Sequence, residues 1–108
     1  MKQNHLVITA LLRSKEPLRY SPAGVPIQNC RLAHQSEQME AGLVRSVTCE
    51  LPAVAVGPLA HRLAASELES ELELSGFLAT KRRYDTAELH IVEFETRVPG
   101  NRTPRSTD

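Results

Sequence analysis

Residues 43–51 alternate apolar and polar side chains almost without a break, with Leu43, Val47, Cys49 and Leu51 on one parity and Ser46, Thr48 and Glu50 on the other. A repeat of two residues is that of an extended strand with one buried and one wet face, not that of a helix. Residues 71–78 repeat the pattern, with Leu72, Leu74, Gly76 and Leu78 together, and Gly76 inside that run predicts a bulge or sharp bend. Residues 5–13 and 27–34 supply two more strands, and 87–95 a fifth around Leu89, Ile91 or Val92, and Phe94. Breakers separate them. Ser14, Lys15, Glu16 and Pro17 follow the first strand, and Pro22 and Gly24 favour a tight hairpin turn before the second. Residues 35–42 form a polar connection ending in Gly42, and Pro52 is expected to end the third strand. After Gly57 and Pro58, the Leu59 to Ala65 segment has the leucine spacing and alanine content of a short helix.

Three strands, a helix and two strands is the order of a five-stranded Greek-key barrel of the oligonucleotide-binding (OB) type, with binding loops after strands one and four. Other small all-β barrels share that order, so the pattern gives an all-β fold with one short helix between strands 3 and 4, and the OB barrel is the expected form of it. With 108 residues and 41% hydrophobic content the chain suits one domain, expected over residues 1–96, with a flexible basic tail at 97–108. The longest apolar run, 51–60, is ten residues and is broken by Pro52, Gly57 and Pro58, so no membrane partner is expected. The apolar stretch at 6–12 holds a threonine and ends at Arg13 without a cleavage site, which favours a strand over a signal peptide. Cys30 and Cys49 lie in separate apolar stretches and are expected to be buried free thiols.

Thirteen basic and thirteen acidic side chains cancel, so any nucleic-acid footprint has to come from their distribution. Lys81, Arg82, Arg83 and Tyr84 set three cations and an aromatic ring at one turn, a combination that can grip phosphates and stack on a base, though a merely solvated turn has the same composition. Arg13, Lys15, Arg19 and Tyr20 form a second such group around the first loop. Arg45 falls on the buried parity of the third strand, where its long stem can carry the charge outward, and Thr48 lies on the wet parity. His5, His34, His61 and His90 lack metal-ligand spacing. Glu67, Glu69, Glu71 and Glu73 fit a solvated strand entry better than an acid and base pair. No nucleophile, base and orienter can be named together, so neither an enzyme nor a cofactor is expected.

The stretch from Pro17 to Pro26, then His34-Gln35-Ser36 with Glu40-Ala41-Gly42, Arg45 to Pro52, Leu74-Ser75-Gly76-Phe77-Leu78 and Leu89-His90 resembles the primosomal replication protein N (PriB) family, relatives of bacterial single-stranded DNA-binding protein. The resemblance covers about residues 3–95. It implies a cytoplasmic homodimer of OB barrels that binds single-stranded DNA and helps reload the replicative helicase, with the restart helicase PriA and, in some bacteria, DnaT as partners. With DNA as the ligand, charge, aromatic character and strand parity make Arg13, Lys15, Arg19, Tyr20, Arg45, Thr48, Lys81, Arg82, Arg83 and Tyr84 the expected contacts. Where well-known members carry an aromatic pair around strand three, this chain has Leu43 and Thr48. The alternative is a protein-interaction adaptor for the helicase that binds DNA only weakly.

Overall fold

The computed structural model describes residues 1–80 and 86–97. Its elements are β1 (Leu6–Lys15), β2 (Arg19–Tyr20), β3 (Pro26–Glu40), β4 (Leu43–Val56), α1 (Pro58–Ala65), β5 (Glu71–Thr80) and β6 (Ala87–Arg97). The five long strands and the helix are those expected, and the two-residue β2 is an addition paired to β3. The sheet runs β1-β5-β6-β4-β3-β2 and is closed by a further β1–β3 pairing. This is the OB barrel.

Strand β1 makes the closure. Leu6 through Leu11 pair antiparallel with β5, and Leu11 through Lys15 pair with β3. Between the two, Leu12 faces Leu32 while Ser14 faces Arg31, which leaves Arg13 as an extra, bulged residue. A bulge bends and twists its strand, and this one lets a single strand serve two neighbours. Inside, Leu12, Leu32, Leu72, Leu74 and Leu89 meet Leu63 and Ala60 from α1. Gly57 precedes the helix at φ 85°, a conformation that glycine accepts without a Cβ penalty, and Pro58 follows at the first turn. Arg62 ties α1 to β6, donating from Nη2 to the Phe94 carbonyl at 3.0 Å with its guanidinium 4.5 Å from the Phe94 ring centre.

A second bulge lies across from Gly76. Ser75 faces Glu93 and Gly76 faces Ile91, so Val92 has no partner. The extra residue flips the parity of β6: Phe94 points inward, and beyond the bulge Ile91 and Leu89 do so, while His90 turns out opposite Phe77. The choice between Ile91 and Val92 left open by the sequence is thus settled for Ile91, at 5% exposure against 63%. The glycine is required because a Cβ at residue 76 would lie 1.9 Å from the His90 carbonyl oxygen.

Several boundaries differ from expectation. The polar connection at 35–42 is a strand: β3 runs to Glu40 and β4 starts at Leu43, joined by a two-residue turn with Ala41 at φ 53° and Gly42 at φ 79°. Two positive φ values match the twist of a tight hairpin, so the ladder continues through the polar residues on backbone bonds alone. Pro52 does not end β4, because the pairing with β6 begins only at Ala53 and β4 has one hydrogen-bonded neighbour at that point. β1 reaches Lys15, two residues into the expected breakers. β6 includes Arg97, expected in the tail, because its guanidinium bridges Glu71 at 3.1 Å and Glu73 at 3.2 Å.

The largest correction concerns residues 43–51. Their alternation is real, but the side expected to be buried is mostly open: Leu43 is 72% exposed and Cys49 is exposed. The outer parts of β3 and β4 pair with each other and extend past the barrel, and among the described residues no third strand pairs with them. Cys30 is buried as expected. Burial, reinforced by the Glu88 carboxylate and opposed by Lys15, pushes its thiol up to about 12.

Gly76→Ala should cost about 3 kcal/mol or more in chemical denaturation, above ordinary overpacking, because backbone rather than a movable side chain occupies the space. An aromatic disulfide reagent at neutral pH should titrate one thiol, Cys49, in the native protein and two in denaturant, because thiolate fraction and access control the reaction.

Candidate nucleic-acid interface

Parity along the long strands divides the sheet into the barrel interior and one outer face. On that face β1 contributes Thr9 and Leu11, β3 contributes Arg31, Ala33 and Gln35, and β4 contributes Thr48 and Glu50, with Ala33 opposite Glu50 and Gln35 opposite Thr48. A groove of about 540 Å³ runs over this region, lined among others by Thr9, Arg13, Gln35, Thr48, Glu50 and Glu71. Its shape comes from the bend of β1 at Arg13 and the departure of the β3–β4 ribbon from the barrel.

His34 anchors the ribbon. Its Nδ1 donates to the Thr9 carbonyl of β1 at 2.7 Å, which leaves Nε2 to accept from the Ser36 hydroxyl at 2.7 Å, and Gln38 donates to the same Ser36 oxygen at 3.0 Å. The carbonyl can only accept, so the proton of this bond sits on Nδ1. Sequence pattern pointed only to the absence of metal spacing here; the partners of His34 come from β1 and are visible only in three dimensions.

The structure distributes the expected contact residues unevenly. Arg13 lines the groove with its Nε 3.7 Å from Glu69. Thr48 is exposed and lines the same groove. Arg45 is exposed farther out on the ribbon and is paired with Glu40 at 2.7 Å. Arg19 and Tyr20 stand in β2, where Arg19 Nη2 donates to Asn29 Oδ1 at 3.3 Å and the Tyr20 ring lies 6.3 Å from His61 of α1. Lys15 is turned to the helix, donating to the Ala64 carbonyl at 2.7 Å and the Ser66 carbonyl at 2.6 Å. A cation at the carbonyl end of a helix satisfies acceptors that the helix itself leaves open. Lys81, Arg82, Arg83 and Tyr84 lie outside the described residues.

Three features escaped the sequence-based expectations. Arg31 sits on the outer face beside the groove residues and is paired with Glu50 at 3.2 Å. Glu88 is 6% exposed, with Asn29 Nδ2 donating to its Oε2 at 3.4 Å and His90 Nε2 3.9 Å from its Oε1. Phe77 and His90 stack on the same outer face, centroids 5.0 Å apart and planes 8° from parallel. An apolar residue after Gly76 in a strand, facing a histidine in the next, was the available signal for that stack, and only the register makes it one. Among the described residues no cluster of three or more His, Cys, Asp or Glu side chains is placed to hold a metal. Among the same residues no helix is long and apolar enough to cross a membrane.

A closed barrel of this order, carrying an open sheet face and a groove, defines an OB-fold protein of the single-strand-binding class, and a family model described as "Another single-strand binding protein family" matches residues 4–93. The replication restart protein PriB of Bordetella pertussis is 40% identical over 80 residues, 74% of this chain and 75% of that protein. A solved structure of PriB from Ralstonia solanacearum superposes with a TM-score of 0.83 at 35% identity, covering 90% of this chain and all of the other. The wild-type single-stranded DNA binding protein from Thermus aquaticus shares the fold, with a TM-score of 0.72 at 19% identity, covering 90% of this chain and 51% of that one. The chain belongs to the replication restart protein PriB family.

Lys15→Met should destabilise the barrel by about 1.5–3 kcal/mol, the usual contribution of hydrogen bonds to a charged group, while Arg45→Ala, which loses one exposed ion pair, should stay within about 0.5 kcal/mol. Urea denaturation of the two variants beside the parent protein measures both. Equal stability of Lys15→Met and the parent would remove the helix clamp.

Proposed function

We propose that this chain binds single-stranded DNA across its outer sheet face and acts in replication restart. The observation that carries the reading is the groove at the base of the β3–β4 ribbon, lined by Arg13 and Thr48 on the face that OB barrels use for oligonucleotides. The single-strand-binding and PriB names of its relatives support it. In this reading Arg13, Arg19 and Arg45 reach the phosphates, Tyr20 and Thr48 border the path, and Lys81, Arg82, Arg83 and Tyr84, in the segment between β5 and β6, contribute three more cations and a ring. Lys15 serves the site indirectly by holding α1. The active unit is a homodimer of barrels, each running through Arg97 at the end of β6. The chain is a cytoplasmic binding protein that stimulates the PriA helicase, with DnaT as a further partner in some bacteria, without catalysing a reaction of its own.

A second reading, that of a helicase adaptor with weak DNA contact, is favoured by one specific observation: Arg13, Arg31 and Arg45 each have a glutamate partner. Such exposed pairs contribute about 0–1 kcal/mol, so a phosphate can displace them, yet each displaced glutamate stays close to the strand.

Salt titration separates the two readings. Changing Lys81, Arg82 and Arg83 together to alanine should weaken binding of a labelled oligonucleotide and flatten the slope of log affinity against log salt by about 0.7 per lost contact, roughly two units in all. Unchanged affinity and slope would remove that turn from the DNA site. Thr48→Trp should strengthen binding by about 1 kcal/mol or more by adding a stacking ring at the groove, and no gain would place the bases elsewhere. Light scattering at micromolar concentration should give twice the 12.0 kDa chain mass, and a monomer would defeat the dimer.

A further inference from the structure

The outer face carries a row of side chains that crosses five strands. Phe77 of β5 faces His90 of β6, His90 faces Val54 of β4, Val54 faces Asn29 of β3, and Asn29 accepts a hydrogen bond from Arg19 of β2. Thr48 and Gln35 lie on this same face, three rows farther toward the ribbon along β4 and β3. At one end of the row stands the Phe77–His90 stack, and Phe77 keeps 40% of its surface open even with the imidazole against it.

That arrangement is assembled by two unusual backbone features. The unpaired Val92 reverses the parity of β6 and brings His90 outward, while Gly76 lets the His90 backbone approach to a distance no Cβ would tolerate. His90 is further held beside the Glu88 carboxylate, itself fixed by Asn29. The result is a pre-positioned aromatic ring on the outside of a barrel, where burial gives it no reason to be. A carboxylate within 4 Å of the imidazole makes the spot unfavourable for a phosphate. A nucleobase is different: it is flat and uncharged, and it gains from stacking on an aromatic face whatever its sequence.

We infer that the Phe77–His90 pair is a base-stacking platform of the single-stranded DNA path, with Phe77 as the contacting ring and His90, Glu88 and Asn29 as the residues that position it. The inference rests on the DNA-binding reading of the outer face and adds a site on β5 and β6 to it. The phosphates on either side are then left to the arginines.

The chain contains no tryptophan, so Phe77→Trp places a single reporter at the proposed contact. Titration with oligo-dT should quench and shift its emission in step with the anisotropy of the labelled oligonucleotide, whereas Leu68→Trp, on the loop after α1, should bind equally and show no quenching. Phe77→Ala should lose about tenfold in affinity with its salt slope unchanged, because a base contact and not a phosphate contact is removed. Melting curves of the three variants check that the barrel is intact, and the emission of Phe77→Trp reports on the contact even if Phe77→Ala fails to fold. Wild-type binding combined with an unresponsive tryptophan at saturation, or with undiminished affinity in a folded Phe77→Ala, overturns the platform and leaves the DNA-binding reading in place. A wild-type protein that binds no oligonucleotide overturns both.

Discussion

Sharing β1 between two neighbours is the constraint on which the molecule depends. A five-stranded sheet that remained open would leave two long edges, each a row of unpaired backbone groups. Here residues 6–11 of β1 close against β5 and residues 11–15 against β3, so both rows are satisfied by one strand. The closure also positions the helix and the strand after it. Leu12 donates its N–H to the Ser70 carbonyl and accepts from Glu69, while Lys15 reaches the end of α1, so the bend at Arg13 fastens the helix and the entry to β5 together. The groove on the outer face is a by-product of the same bend.

The interior is small and built almost wholly of leucine and alanine, with Phe94 as its aromatic member among the described residues. Small side chains suit a narrow barrel, and they leave little slack for errors of register. Both bulges are therefore informative: the one at Arg13 lets β1 pass from β5 to β3, and the one at Val92 returns Ile91 and Leu89 to the inside. The polar group most deeply enclosed, Gln28 at 1% exposure, is not an exception to the rule that buried donors are paired, since its amide donates to the Glu16 and Asn29 carbonyls. It fastens the chain just after β1 to β3. Arg62 does the equivalent for α1 and β6.

Beyond the barrel the energetics change character. The outer β3–β4 ribbon has a complete backbone ladder but, among the described residues, no second layer, and Met39, Leu43 and Val44 near its turn are all more than 60% exposed. Hydrogen bonds and cross-strand pairs alone hold a two-stranded ribbon weakly. The His34 bond to Thr9 is thus a tether as well as a strut, linking the ribbon base to the one strand that closes the barrel. A face of this kind stays available to a partner, whether DNA or protein, because burying it in the fold is not what stabilises the fold.

Period-two patterning, the position of Gly57-Pro58 and the turn residues near Gly24 were sufficient to determine the all-β order and the helix, because those features depend on neighbours in the chain; the choice of the OB barrel among small all-β barrels drew on the family resemblance as well. The same local information could say that Leu43 and Cys49 share a face, but not whether anything covers it, since burial depends on a second layer, and both side chains are exposed. It could place a bend at Gly76, but not on which strand the extra residue falls; that was decided by the β5–β6 register, which leaves Val92 unpaired. It ranked Lys15 with the DNA contacts by charge alone, and only the tertiary structure brings the carbonyls of Ala64 and Ser66, 49 and 51 residues away, to its ammonium group. Side-chain type sets what a residue can bind, whereas partners distant in the chain decide which of those bonds the folded protein makes.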